Sequence, residues 1–171
     1  MSIRPPLVWA KTSLYGPAMA RRFRPMLAAS AAALTLLAAG AAGAGAATTL
    51  PGFKSPSGNI KCLYLPGPPA VVWCSIGKAN YARKLTAYCA QPRIGVDWAG
   101  FTLGTKGRGG VECTGGVLYD PQKQRPSYGT LAYGKTWRRG AFICMSAPTG
   151  VTCRNPKGHG VFVSRESYRL F

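Results

Sequence analysis

One short pattern recurs along the chain from Ile60 onward: an apolar residue, one intervening position, then a cysteine. It occurs as Ile60/Cys62, Val72/Cys74, Val111/Cys113, Phe142/Cys144 and Val151/Cys153. Successive side chains of an extended strand point to opposite faces, so residues two apart share a face. The pattern therefore predicts half-buried strands whose cysteines look into a core. The stretch Phe142–Cys153 is the clearest case. Its strands are joined by Ala147-Pro148-Thr149-Gly150, read as a four-residue loop with turn chemistry. That loop sets Ser146 opposite Val151, and Cys144 then faces Cys153. A second hairpin follows the same logic. Ile60–Leu65 and Val71–Ile76 flank the rigid loop Pro66-Gly67-Pro68-Pro69-Ala70, which sets Leu65 opposite Val71 and Cys62 opposite Cys74. These registers favour the bridges Cys62–Cys74 and Cys144–Cys153, and leave Cys89–Cys113. Each bridge is expected to contribute about 2–4 kcal/mol, chiefly by restricting the unfolded chain.

The remaining elements are placed by the same periodicity. Thr48 to Pro56 reads as a lead-in with Phe53 as a first core contact. Asn80–Tyr88 reads either as a two-turn helix capped by Asn80 or as an irregular segment. Val96–Leu103 is expected to be a strand carrying Trp98 and Phe101, and Tyr128–Tyr133 another. Two basic loops separate them: Thr105–Gly110, with Lys106 and Arg108, and Gly134–Gly140, with Lys135, Trp137, Arg138 and Arg139. After Asn155–Gly160 comes the strand Val161–Ser164. The apolar Tyr168, Leu170 and Phe171 predict a docked terminus. With 22 Gly and 14 Pro punctuating short strands, the fold class is mostly β: a small, disulfide-stapled antiparallel sandwich or barrel preceded by a signal helix.

The start of the chain has a different character. Arg21-Arg22-Phe23-Arg24 is a basic cluster, followed by an uncharged, Ala- and Leu-rich run and then small residues from Ala41 to Ala47. This is the layout of a secretory signal peptide, with cleavage after Ala46 or Ala47. The expected organisation is a signal peptide over 1–47, with translation starting at Met19, and a single secreted domain over 48–171. The alternative is a membrane anchor. It is disfavoured by the weak hydrophobic drive of Ala and Gly and by the lack of a basic stop-transfer cluster.

Charge narrows the partners. The chain holds 22 Lys and Arg against 4 acids. Five basic residues lie upstream of 48, so residues 48–171 carry 17 basic residues and a net charge of +13. Such a surface suits polyanions: an anionic envelope polymer, a phospholipid surface or nucleic acid. No dedicated nucleic-acid motif is present, and a monomer is expected. Lys106, Arg108, Lys135, Trp137, Arg138 and Arg139 are the candidate binding residues, since cations beside an aromatic fit an anionic glycan or backbone. The competing reading is a solvated basic surface.

Six cysteines, an even number behind a signal-like segment, predict three disulfides and an oxidising compartment. Zinc is disfavoured by the lack of a C-x-x-C pair and by the single histidine, His159. No metal or cofactor is expected. His159 lies between Gly158 and Gly160 and is also counted as a binding candidate. An enzymatic reading would use it with Glu112 as acid and base, in a small secreted nuclease or hydrolase. Nothing in the spacing requires this, and a turn histidine bonded to backbone is the plainer account. A Ser-His-Asp site drawn from Ser57 or Ser127, His159, and Asp97 or Asp120 lacks a nucleophile motif. Paired-carboxylate glycosidase chemistry has too few acids to draw on.

Several blocks carry a family resemblance: Phe53–Cys62 (FKSPSGNIKC), Leu131-Ala132-Tyr133-Gly134, Gly150–Asn155 (GVTCRN) and Gly158–Arg165 (GHGVFVSR), closing with Tyr168 and Phe171. Together they resemble an uncharacterised family of small exported bacterial proteins of the actinobacterial type, over nearly all of Phe53–Phe171. Between Gly77 and Asp120 the likeness rests on the cysteines alone. The resemblance implies secretion and one disulfide-bonded domain, and it transfers no catalytic residue.

Overall fold

The computed structural model describes residues 46–171 apart from Arg93 and Gly95. The signal segment and the start at Met19 lie outside the described residues. Eleven strands and one helix follow in order: β1 Thr48–Lys54, β2 Ile60–Leu65, β3 Val71–Ile76, α1 Ala82–Cys89, β4 Trp98–Gly104, β5 Gly110–Cys113, β6 Gln124–Thr130, β7 Thr136–Arg139, β8 Phe142–Ala147, β9 Gly150–Arg154, β10 Gly160–Val163 and β11 Tyr168–Leu170. They form two open sheets. Sheet A has the order β5-β4-β3-β2-β1-β6, and sheet B the order β11-β10-β9-β8-β7. The architecture is a sandwich and not a closed barrel.

The apolar-x-Cys pattern builds the space between the sheets. Phe53, Ile60, Cys62, Val72, Cys74, Phe101 and Leu103 of sheet A meet Phe142, Cys144, Val151, Cys153, Val161 and Val163 of sheet B in one buried cluster. All three expected disulfides are present. Cys62 pairs with Cys74 within β2–β3, and Cys144 with Cys153 within β8–β9, each in the expected register. The two hairpin bridges touch across the core, with Sγ of Cys74 4.0 Å from Sγ of Cys153. Each sheet is thus stapled on its inner face, and the staples pack on one another.

Four expectations are corrected. The β8–β9 loop is two residues, because Ala147 pairs with Gly150; dropping one residue from each side leaves the register unchanged. The lead-in is strand β1, which runs antiparallel to β2 and parallel to β6, so the sheet is not purely antiparallel. The second basic loop contains strand β7, and Trp137 on it faces inward, its ring centre 5.1 Å from that of Phe53. Burying the indole outweighs the loop tendency of its glycine and lysine neighbours. The helix starts at Ala82 with Tyr81 at the capping position and no side-chain cap, so Asn80 does not serve there. The helix is held instead by buried Leu85 and by the bridge from Cys89 to Cys113.

Simple alternation would place Trp98 and Phe101, three apart, on opposite faces. Both pack in the inter-sheet core, 5.6 Å apart. A bulge between Trp98 and Gly100 inserts the extra step. Gly100 has φ +118°, and a Cβ there would collide with the carbonyl of Cys74. Trp98 and Phe101 join Tyr81 and Tyr168 in an aromatic group that links α1 to both sheets.

The two outer faces differ. That of sheet A bears a second apolar cluster, Leu50, Leu63 and Trp73, covered by Leu118 and Tyr119 from the β5–β6 connection. That of sheet B keeps two large apolar side chains in solvent, Ile143 at 42% and Met145 at 49% exposed.

Candidate functional site

Register determines what surrounds those two residues. Phe142, Cys144 and Ser146 of β8 are buried, so Ile143 and Met145 point outward. Residues paired across an antiparallel ladder share a face. Ile143 is flanked by Arg138 of β7 and Arg154 of β9. Met145 is flanked by Thr136 and Thr152, followed by Phe162 and then Arg169. The outer face therefore carries one row in which Arg138, Ile143 and Arg154 alternate cation and apolar surface, and a second row, through Met145 and Phe162, that ends on the cation Arg169. At ~4.8 Å between strands, five strands span about 19 Å.

The chain terminus completes the face. Phe171 and Gly160 exchange backbone hydrogen bonds, N–H to O at 3.0 and 2.6 Å. Gly160 pairs with Arg154 and so faces the same way. A Cβ on Gly160 would meet the Phe171 ring at 2.7 and 2.9 Å, so glycine is what lets the ring lie across the strand. The Arg154 guanidinium stacks 4.6 Å from the centre of that ring, and Arg169 lies 5.7 Å from it and 5.8 Å from that of Phe162. At the β11 edge, Arg108 from the β4–β5 loop donates to the Leu170 carbonyl at 3.2 Å.

Among the described residues no acidic side chain neutralises this surface. The four acids are Asp97, Glu112, Asp120 and Glu166, none on a strand of sheet B. Among the described residues the one ion pair joins Lys123 and Asp120 at 3.6 Å, elsewhere on the chain. The Arg154 guanidinium donates once, to the Gly158 carbonyl at 3.3 Å, and stacking on the ring leaves its other edge donors for an incoming anion.

The sequence candidates separate into groups. Arg138 belongs to the face, and Arg108 borders it. Lys106 shares the exposed β4–β5 loop, which Asn155 fixes to the β9–β10 turn by donating to the carbonyls of Gly104 and Gly107, both at 3.0 Å. Lys135 just before β7 and Arg139 at its end are exposed, and Arg139 pairs with Phe142 on the inner side. Trp137 is a core residue. His159 sits in the β9–β10 turn, where its carbonyl accepts from Asn155 N–H at 2.9 Å. Glu112 lies on β5 and accepts from the Thr102 hydroxyl at 3.2 Å. No hydrogen bond joins His159 to Glu112 among the described residues. The six cysteines are all in disulfides, so the close group formed by Cys62, Cys74 and Cys153 has no thiolate to offer a metal.

Arg154, Arg169, Phe162, Phe171, Ile143 and Met145 escape a reading based on basic loops. The hairpin register held part of the signal: with Cys144 opposite Cys153, Ile143 must oppose Arg154, outward. The DUF6636 family, a family of unknown function, matches residues 31–171. The chain belongs to this family. No curated protein and no solved structure matches it. Membership in DUF6636 agrees with the resemblance in the blocks and adds no activity to it. The three disulfides fit an oxidising, extracellular type of environment. Among the described residues no helix is long and apolar enough to cross a membrane.

Proposed function

We propose that the domain is a secreted binding module that holds an anionic polymer of the cell envelope against the outer face of sheet B. One observation carries this reading: Arg138 and Arg154 flank exposed Ile143, and Arg169 ends the row that holds exposed Met145, with no acidic side chain among them. A chain of repeating anions gains at each guanidinium, and its apolar stretches cover Ile143 and Met145. Release of the polymer's counterions makes such binding steeply salt-dependent. Secretion is supported by the signal-like segment over 1–47 and by the three disulfides.

The test is co-sedimentation of residues 48–171 with bacterial envelope fractions over a salt series. Log affinity should fall linearly with log salt. The triple substitution Arg138→Ala, Arg154→Ala, Arg169→Ala should weaken binding and flatten that slope, while the circular dichroism stays unchanged. Salt-insensitive binding, or a triple variant that binds like the parent, would refute the proposal.

A further inference from the structure

A second surface lies apart from the cationic face and shares none of its residues. Five connections meet around a cavity of about 600 Å³: the β1–β2 turn, the segment after β3, the segment before β7, the β8–β9 turn and the β10–β11 turn. The volume falls within the ~300–1,000 Å³ typical of small-molecule sites. Four of the sequence blocks that carry the family resemblance supply lining residues, among them Ser57, Tyr133, Gly150 and Arg165.

The frame of this cavity is fixed by hydrogen bonds within its own walls. Asn59 locks onto the backbone of Lys78 in both directions, accepting from its N–H at 2.8 Å and donating to its carbonyl at 3.0 Å. Asn80 N–H donates to the Arg165 carbonyl at 2.8 Å. The Ser164 hydroxyl accepts from the N–H groups of Glu166 and Ser167 at 3.2 and 3.0 Å. The Ser55 hydroxyl accepts from Ile60 N–H at 3.1 Å. The backbone that carries Lys78, Arg165 and Glu166 is therefore held in place, and among the described residues these three charges form no ion pair. On the same rim Tyr133 is 46% exposed. A rigid wall with two unpaired cations, one carboxylate and an open aromatic ring is a recognition site in waiting.

We propose that this cavity binds an acidic sugar unit, a pyranose bearing a carboxylate. The C–H face of the ring stacks on Tyr133. The carboxylate is held by Lys78 and Arg165, a charge-assisted contact for which the planar guanidinium is suited. Ring hydroxyls donate to Glu166 and exchange bonds with Thr149 and Ser57, which also line the cavity. Glu166 selects against more highly charged ligands while accepting hydroxyl donors, which favours a carboxylated sugar over a phosphate ester. This site does not depend on the sheet-face reading, and either can fail while the other stands.

The test is an amide-resolved NMR titration of residues 48–171 with trigalacturonate, with maltotriose as the neutral match. Trigalacturonate should give saturable shifts clustered on the amides of Lys78, Tyr133, Thr149 and Arg165, and maltotriose should bind at least tenfold more weakly. Arg165→Gln and Tyr133→Ala, both surface changes, should each weaken trigalacturonate at least tenfold. Lys84→Ala, an exposed cation outside both surfaces, should leave this binding unchanged. The proposal is overturned by the absence of saturable shifts at the cavity amides, by equal binding of maltotriose there, or by variants at Arg165 and Tyr133 that bind like the parent.

Discussion

The three bridges should respond very differently to a reducing agent under native conditions. Reduction requires a thiolate or phosphine to reach a sulfur. Cys62, Cys74, Cys144 and Cys153 are each fully buried between the sheets, whereas Cys113 is only partly buried at the sheet A edge. The bridge Cys89–Cys113 should therefore open first, from the folded protein. It also closes the longest loop, with a sequence separation of 24 against 12 and 9 for the others. Loop-closure entropy assigns it about 3.4 kcal/mol, against about 2.8 and 2.6. Losing about 3.4 kcal/mol raises the unfolded population ~300-fold. The two core bridges should then be reduced ~300-fold faster than in the intact protein, because they are reached only through unfolding. They should also go together, since their sulfurs pack against each other. Timed quenching with iodoacetamide and mass spectrometry reads this directly. The expected species carry two and then six alkyl groups, with the first two on Cys89 and Cys113. Replacing both of those residues by alanine should reproduce the acceleration. The reasoning is refuted if Cys144 or Cys62 is alkylated before Cys113, which would mean that the sheets separate without global unfolding.

Gly160→Ala should cost about 2–4 kcal/mol by thermal unfolding, from overpacking against the Cys153 carbonyl and the Phe171 ring plus loss of the Arg154 stack; an unchanged midpoint would remove Phe171 from the face. Ser146→Ala should be neutral or stabilising by about 1 kcal/mol, because the Ser146 hydroxyl is fully buried without a hydrogen-bond partner; a loss of more than that would show that the hydroxyl has a partner. Burial, then the neighbouring Tyr168 and Glu166, pushes the Tyr81 hydroxyl well above its ordinary range, and burial, then Tyr119, raises that of Tyr128. A raised folded pKa means stability present below the unfolded value of about 10 and lost as pH climbs beyond it. Denaturant midpoints should therefore fall above pH 10, and an alkaline titration that ionises Tyr81 without unfolding would contradict this. Raising salt from 10 to 150 mM, as order-of-magnitude conditions around the screening transition, should lift the melting temperature of residues 48–171 by screening repulsion among the excess cations; a fall would mean that the native surface is better paired than the sheet register implies.

Legibility followed sequence distance. Both hairpin registers, and through them the three bridges, could be read because a short turn determines which residues face each other. Miscounting the Pro148-Thr149 turn by one residue on each side did no harm, since the error was symmetric about the hairpin. The β1–β6 parallel pair joins segments more than seventy residues apart, and no local pattern announces it. Trp137 was misplaced for the same reason: its partner, Phe53, belongs to the other sheet. The bulge that turns Trp98 inward depends on Gly100, which holds φ +118° and leaves no room for a Cβ against the carbonyl of Cys74, again on a different strand.

The cationic face was hidden in a further sense. Arg138, Arg154 and Arg169 sit on β7, β9 and β11, and read along the chain they are ordinary solvated cations. Strand order β11-β10-β9-β8-β7 gathers them onto one face, on alternate strands. That arrangement works against folding, because unpaired like charges on one surface repel and exposed Ile143 and Met145 contribute little burial. Sheet A shows the alternative open to this chain, a loop folded over the outer apolar residues. Sheet B is left uncovered, and the cost is offset from the other side: Cys144–Cys153 staples its central hairpin and stacks on the bridge of sheet A. The core disulfides and the open cationic face are thus two halves of one design, in which covalent links in the interior allow a surface that does not stabilise the fold.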